Sequence, residues 1–471
     1  MANVGSPQDT LTSMFRTSIG DLDYRVVVAS IITMDPDTPR AEALAMRSGR
    51  IVAVGTVDEV LAAAPAQAHV EILERSFVVP GLIDSHLHLL RGGLKALSVL
   101  PSESTELTTF LAEMDRTALD PDWPDGEPSI EDRIAGLRRV QPLIHALGLT
   151  GVIDPAVTDD ELRAYQEAHR RGLLTIRVVA MPYPDVDDQL TPGVATAIER
   201  LTGIGVSTGF GDDFLRLGGI KIYFDGEGMK GQALLPEPWV GGTDDLGLQR
   251  ISDADFLRLV EFCATHSWSV GVHAVGGGAV SRILEIFEDV DSRTPIGQLR
   301  FQLIHAYLEP SADSLRAAER LGVIAALQPS IHWNNAAGLI AKLGERAVPA
   351  NPIRSWLDAG VTVALGSDGP FFPFDPRHLM WQARTRMVRG HERPVAPEQA
   401  ITGTEALAGY TTGAAFASFA EDRRGMLRAG FLADWTALSV DPTTCSPDEL
   451  RTATVSRTVV NGSTVFPAPA C

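Results

Sequence analysis

His86 and His88 stand two positions apart at the end of an apolar run, Val78-Val-Pro-Gly-Leu-Ile-Asp-Ser-His-Leu-His88. On a strand, side chains two apart point the same way, so both imidazoles would converge on one point. Neutral imidazole is the commonest protein ligand for divalent metals. Two histidines near a strand end also fit ordinary surface or core positions, and the pair alone leaves both readings open. The rest of the chain adds groups of the same kind. Lys221 lies in Gly219-Ile-Lys-Ile-Tyr-Phe224, His273 ends Val270-Gly-Val-His273, His305 ends Leu303-Ile-His305, and Asp368 ends Leu365-Gly-Ser-Asp368. Any one of these could be a hydrogen-bonded core residue or a turn cap. Six at comparable places along the chain point to a metal centre.

Those places belong to a repeating pattern. Eight strand-like runs end near His88, Pro155, Met181, Phe224, His273, His305, Gln328 and Asp368, separated by amphipathic stretches such as Asp159 to Arg171, stopped by Gly172, and Ser311 to Leu321, stopped by Gly322. Repeated β-α units predict an α/β fold of the (β/α)8 TIM-barrel type, whose site forms at the carboxyl ends of the strands. Shorter β-like runs flank it: Tyr24 to Met34, Ala41 to Met46, Arg50 to Val54 and Val70 to Val79 before, Trp435 to Val440 and Thr454 to Val465 after, the last with an Asn461-Gly462 turn. Neither set closes a core by itself, so a small β-sandwich domain formed by the N- and C-terminal segments is expected. The predicted organisation is a flexible tail at 1–22, a composite β-sandwich from 23–80 with 417–471, and a barrel at 81–416. The irregular stretch Pro101 to Pro128 reads as a loop insertion over the barrel mouth.

Composition narrows the partners. The chain has 471 residues, 45% hydrophobic and 21% charged, which is ordinary for a globular protein. A formal charge of −20 without a basic patch argues against nucleic acid and anionic membranes, and favours a small-molecule substrate. A homodimer is left open. Cys263, Cys445 and Cys471 are too scattered for a disulfide framework or a thiolate zinc site, and with no secretory signal or membrane-length apolar run the expected location is cytoplasmic. Gly205-Val-Ser-Thr-Gly209 fits the Gly-x-Ser-x-Gly of serine hydrolases but lacks the strand before and helix after that such an elbow needs. Gly276-Gly-Gly278 lacks the lysine of a phosphate loop and reads as a tight turn into a helix.

Pro80-Gly-Leu-Ile-Asp-Ser-His-Leu-His88, then Gly218-Gly-Ile-Lys-Ile-Tyr-Phe-Asp-Gly226, then His273, His305 and Ser367-Asp-Gly-Pro370 resemble the amidohydrolase superfamily, in its amidohydrolase-3 or YtcJ-like branch, which includes N-substituted formamide deformylases. Further likeness lies in Leu343-Gly-Glu-Arg346, Asp375-Pro376, Glu405-Ala-Leu407, Tyr410-Thr411 and Gly430-Phe-Leu-Ala-Asp434. The resemblance implies a metal-dependent hydrolase that cleaves a C–N bond of an amide, formamide or cyclic amide through a metal-activated hydroxide. It implies zinc, two ions per chain or another divalent metal, bridged by a carboxylated Lys221. His86, His88 and Asp368 would hold one ion and His273 and His305 the other, with Asp368 as general base and then proton donor to the leaving nitrogen. Strand-end loops offer Tyr223, Trp239, His332, Trp333, Phe371 and Phe372 as substrate-binding candidates for an aromatic or apolar substituent, with Phe374 beside them.

Two departures leave the substrate open. Relatives commonly follow the His273 equivalent with Gly-Asp-Arg-Ala, where this chain has Gly276-Gly-Gly-Ala279, and many carry a long insertion after the first strand that is absent here. The same site on related barrels also serves decarboxylation, elimination or ring opening, and a barrel that binds a small molecule without turnover is the non-enzyme alternative.

Overall fold

The computed structural model describes residues 23–100, 107, 108, 111, 127–184, 193–239 and 244–467; the expected tail at 1–22, most of the expected insertion from Pro101 to Pro128, and Cys471 lie outside them. The fold is mixed α/β. Val- and Ile-rich segments, which suit a pleated surface, form β1 (Arg25–Ile32), β2 (Arg40–Arg47), β3 (Arg50–Gly55) and β4 (His69–Pro80). Next come β5 (Leu82–Asp84), β6 (Leu149–Val157), β7 (Arg177–Pro182) and β8 (Leu215–Leu217), paired in that order as a four-stranded parallel sheet. A five-stranded parallel sheet follows from β9 (Ile220–Tyr223), β10 (Val270–Gly276), β11 (Gln302–Leu308), β12 (Ile324–Leu327) and β13 (Val363–Leu365). Every residue of β6, β10 and β11 is buried, as parallel strands covered on both faces require.

Helices fill the connections where the sequence signals them. The helix Asp159–Arg170 starts at a capping box in which the Thr158 hydroxyl accepts the Glu161 N–H, and Gly172 follows its end at φ +67°. The helix Ala312–Leu321 is capped by Ser311 and ended by Gly322 at φ +66°.

The two parallel sheets meet at two seams. The chain itself crosses the first at Gly218-Gly219, between β8 and β9; Gly218 N–H donates to the Ala180 carbonyl at 2.7 Å and Ile220 N–H to the Ser269 carbonyl at 2.9 Å. A side chain at Gly219 would lie 2.9 Å from the Ser269 carbonyl carbon, which explains the missing Cβ there. At the second seam Ser85 N–H donates to the Leu365 carbonyl at 3.1 Å and Leu87 bridges Gly369 in parallel.

The end of the chain supplies β14 (Trp435–Leu438), β15 (Val455–Val460) and β16 (Ser463–Phe466). They join the first strands in the order β16-β15-β14-β4-β1-β2-β3, with β1 and β4 parallel and the other neighbours antiparallel. Hydrogen bonds run through all seven strands, and an apolar cluster draws Val27, Leu44, Ile51, Val78, Trp435 and Val459 from six of them. This sheet is fastened beneath the parallel strands by Asp434, whose carboxylate takes Arg177 Nε at 2.6 Å and Nη2 at 2.9 Å. Among the described residues no helix is long and apolar enough to cross a membrane.

Candidate metal centre

β5 stops at Asp84, so His86 and His88 do not lie on a strand as the sequence suggests. They sit on a short segment that bends at Ser85 and His86, and the N–H groups of His86, Leu87 and His88 are all hydrogen-bonded. Asp84 Oδ1 accepts the N–H groups of His86 and Ser367, both at 3.0 Å; Leu87 N–H donates to the Ile153 carbonyl at 3.0 Å, and His88 N–H to the Gly369 carbonyl at 2.8 Å. The Asp368 N–H returns to the His86 carbonyl at 2.7 Å. The segments at the two ends of the strand series are thereby tied together. His305 and Asp368 adopt φ +80° and +56°, conformations that cost a histidine about 1–3 kcal/mol and persist only where neighbours over-determine them.

Four imidazoles and a carboxylate converge on one buried point. His86 Nε2 and His88 Nε2 each lie 3.4 Å from Asp368 Oδ1. The His305 ring centre is 5.1 Å from that of His86 and 4.6 Å from that of His273. Ligand atoms of His86, His305 and Asp368 all fall within 4.8 Å of one another. Lys221 is buried beside them, its Nζ 5.0 Å from the Tyr223 ring centre. The His305 ring is oriented by Gln328: its Nδ1 lies 2.8 Å from Gln328 Oε1, while Gln328 Nε2 donates to the Ala326 carbonyl at 2.9 Å. That second bond fixes which end of the amide faces the ring, so Nδ1 carries the proton and Nε2 is left as a lone pair.

The electrostatics select neutral imidazoles. Burial pushes His86 down to about 4 and His305 to about 3, and drives His88 below and His273 well below the usual histidine range; the Lys221 charge adds to this at all four. Burial pushes Asp368 up, but the close approach of His86 and His88 outweighs it and holds the carboxyl well below its ordinary value. Neutral rings around an ionised carboxylate are the donor set that zinc-type divalent cations take. Two ring atoms add to the fit: His88 Nδ1 and His273 Nε2 are buried without a hydrogen-bond partner among the described residues. An imidazole bound to a cation through one nitrogen needs an acceptor near the other. Such groups stand at 3.8 Å, Asp154 Oδ1 from His88 Nδ1 and Asp225 Oδ1 from His273 Nε2.

The substrate-binding candidates divide. Tyr223 stands over the centre, its ring 5.0 Å from that of His273, and Phe371 meets the His88 ring edge-on at 5.0 Å. Phe372 packs on the apolar cluster that includes buried Trp239, whose indole N–H is spent on the Ala233 carbonyl at 3.0 Å. Trp333 faces His378 and Trp381, and Phe374 is buried in the main core. His332 is buried with neither ring nitrogen paired among the described residues. A cavity of about 830 Å³ lies apart from His86, His88, His273 and His305, between the helices Asp159–Arg170 and Gly193–Ile204 and over Trp268; Tyr183 on its wall meets Tyr223 at 5.6 Å. Ser207 lies in the loop after the second of those helices, with no strand-turn-helix elbow around it.

Asp84, Asp154, Asp225 and Gln328 carry structural duties at the centre that the sequence reading did not assign. A signal was present for the aspartates: each closes an apolar run, in Leu82-Ile-Asp84, Val152-Ile-Asp154 and Tyr223-Phe-Asp225, and an acid so placed is seldom a surface residue.

The model of the amidohydrolase family matches residues 103–466, a span that holds Lys221, His273, His305 and Asp368 and begins after His88. The chain is 27% identical over 544 aligned residues to the protein LONG AFTER FAR-RED 3 of Arabidopsis thaliana, covering 94% of this chain and 92% of that one. It is 27% identical over 325 residues to an N-substituted formamide deformylase of Arthrobacter pascens, covering 67% of this chain and 57% of the relative. A metal-dependent hydrolase from Pyrococcus horikoshii superposes with a TM-score of 0.73 at 20% identity, over 90% of this chain and 99% of that one.

Proposed function

The chain belongs to the amidohydrolase family and is an amidohydrolase acting on carbon–nitrogen bonds other than peptide bonds; on that premise we propose that it hydrolyses an amide, formamide or cyclic amide of a small molecule at a centre held by His86, His88, Lys221, His273, His305 and Asp368. The observation that carries this reading is the convergence of four neutral, buried imidazoles on one ionised carboxylate. We read the two parallel sheets, joined at both seams, as arcs of one (β/α)8 barrel at 81–416, and the seven-stranded sheet as a sandwich-like domain from 23–80 with 417–471.

His86, His88 and Asp368 would hold one zinc ion, and His273 and His305 a second, with Lys221 between them as a carbamate. That carbamate forms when the neutral amine adds to carbon dioxide and releases a proton, which turns a cation into an anionic oxygen donor. Bound zinc supplies a water acid enough to deprotonate near neutral pH and an electrophilic charge at the substrate carbonyl. The remaining work belongs to the chain's own groups. Asp368 is ionised in the resting protein, so its carboxylate can take a proton from the attacking water and return it to the leaving nitrogen. Tyr223 and Phe371 flank the reacting group, and their rings exclude water and favour an apolar or aromatic substituent.

Protein purified without chelator should contain one to two equivalents of zinc. A panel of N-formyl and N-acyl amines, lactams and carbamates, assayed for product carrying oxygen from labelled water, should reveal turnover that Asp368→Asn and His86→Ala abolish while far-UV circular dichroism is unchanged. Absence of metal, or turnover indifferent to both substitutions, would sink the proposal.

A further inference from the structure

Resting on the metal-centre reading, we propose that Asp154 and Asp225 are positioning residues that take the outward ring N–H of His88 and His273 and so determine how those two rings face the centre. His88 turns Nε2 inward, 3.4 Å from Asp368 Oδ1, and leaves Nδ1 buried and unpaired among the described residues, 3.8 Å from Asp154 Oδ1. His273 is turned the other way. Its Nε2 is the buried, unpaired atom, 3.8 Å from Asp225 Oδ1, so Nδ1 is the nitrogen left for the centre. A neutral imidazole that gives its lone pair to a cation carries its proton on the opposite nitrogen, and a buried N–H without an acceptor is costly. Closing 3.8 Å to a hydrogen bond of about 2.9 Å needs a ring movement of less than about 1 Å.

The carboxylates are themselves immobilised, by the backbone just downstream of the histidines they face. Asp154 Oδ2 accepts the N–H of Leu89 at 3.1 Å, that of Leu90 at 3.4 Å and the Tyr165 hydroxyl. Asp225 accepts the N–H groups of Val275 and Gly276 at 2.9 Å and of Leu234 at 3.0 Å. Each aspartate therefore fixes the peptide that follows a histidine and offers an acceptor to that histidine's ring. A purely structural clamp would need only the backbone bonds. What the positioning role adds is the approach of a carboxylate oxygen to an otherwise unpaired ring nitrogen, twice and on opposite nitrogens: at His88 the Asp154 oxygen not used by the backbone, at His273 the Asp225 oxygen that also holds the Val275 N–H.

Zinc affinity measured by competition with a chromophoric chelator at neutral pH, and the visible spectrum of the cobalt-substituted protein, test this without reference to turnover. Asp154→Asn keeps an oxygen for Leu89 and Leu90 but presents an amide N–H to the ring. Zinc affinity should fall about 10–100-fold, the usual cost of losing such a partner, and the cobalt bands should shift. Tyr165→Phe removes a bond to the same carboxylate without touching the ring contact, and should leave affinity and spectrum as in the wild type. Should Asp154→Asn fail to fold, Asp225→Asn is the test at His273, read together with thermal unfolding because both Asp225 oxygens also hold backbone N–H groups. Wild-type zinc affinity with an unmoved cobalt spectrum in the folded Asn variants overturns the positioning role, as does a loss in Tyr165→Phe equal to that in Asp154→Asn. Either result leaves the hydrolase reading standing, whereas a wild-type protein that takes up no zinc removes both.

Discussion

Asp434→Asn offers the sharpest test of how the terminal sheet is fastened to the parallel strands. The Asp434 carboxylate is buried, takes two hydrogen bonds from Arg177 at 2.6 and 2.9 Å, lies 3.5 Å from Arg424 Nε and accepts the Asn461 N–H at 2.8 Å. At an effective dielectric of about 20, unit charges at such separations attract by roughly 6 kcal/mol, and much of that is offset by the desolvation of both groups. Removing one partner leaves the desolvation without the attraction. Here it strands two buried guanidinium groups, so the expected loss is about 3–5 kcal/mol, against about 0–1 kcal/mol for Asp160→Asn in the exposed Arg163–Asp160 pair. Urea unfolding at pH 7, followed by fluorescence of buried Trp435 and by circular dichroism, gives the difference. Burial raises the Asp434 carboxyl, but Arg177 and Arg424 hold it below the ordinary value. A depressed carboxyl stabilises the fold above its unfolded pKa and loses that contribution as pH falls through the folded one. The gap between wild type and variant should therefore be constant above about pH 5 and close below about pH 4. A loss under about 1 kcal/mol, or one no larger than that of Asp160→Asn, would show that Asp434 does not fasten the two parts.

Two further perturbations follow from packing. His332 is pushed well below the usual histidine range by burial, with Arg386 adding to it, so the fold is disfavoured once unfolded chains begin to bind a proton below about pH 6.5; His332→Phe should gain about 1 kcal/mol at pH 7 by removing unpaired nitrogens and more at pH 5, and a variant gap independent of pH would contradict the assignment. A Cβ on Gly93 would lie 2.6 Å from the Gly136 carbonyl carbon, where the helices Leu89–Val99 and Ile130–Ala146 touch backbone to backbone; Gly93→Ala should cost about 1–3 kcal/mol in overpacking, less the roughly 0.5–1 kcal/mol that alanine gains within a helix, and unchanged unfolding would place the helices further apart.

The strand series and the terminal sheet were legible because both are written in period and punctuation. Thr158, Ser311, Gly172 and Gly322 mark helix ends by chemistry local to a few residues, and the Asn461-Gly462 turn does the same for the final hairpin. His86 and His88 read as strand residues because apolar alternation cannot distinguish a paired strand from a bent segment pinned by a side chain; the pin is Asp84, whose partners His86 and Ser367 lie far apart along the chain. The glycines after His273 read from sequence as a tight turn into a helix. In the fold, side chains at Gly276 and Gly277 would each lie 2.0 Å from a carbonyl oxygen, of Leu234 and Glu309, so a helix start is packed against two other segments there. Contacts of that range leave no mark in spacing. The same holds for Trp239, an aromatic in a strand-end loop whose indole N–H turns away to the Ala233 carbonyl.

The buried acids hold backbone N–H groups, and two of them also face the histidine rings. Burial pushes Asp84, Asp154 and Asp225 up to about 7, although each accepts backbone N–H groups. Among the described residues the ion-pair contacts of Asp154 and Asp225 are with His88 and His273, not with arginine or lysine. A buried carboxyl is costly to ionise, and at Asp154 the Arg91 charge offsets that only in part. On the proposed two-zinc reading the metals are the cations these acids face. Asp368 and a Lys221 carbamate supply about two negative charges against four positive ones, and ionised Asp154 and Asp225, one atom layer further out, bring the sum close to neutral. On that reading Asp154 and Asp225 are counter-charges of the metal centre.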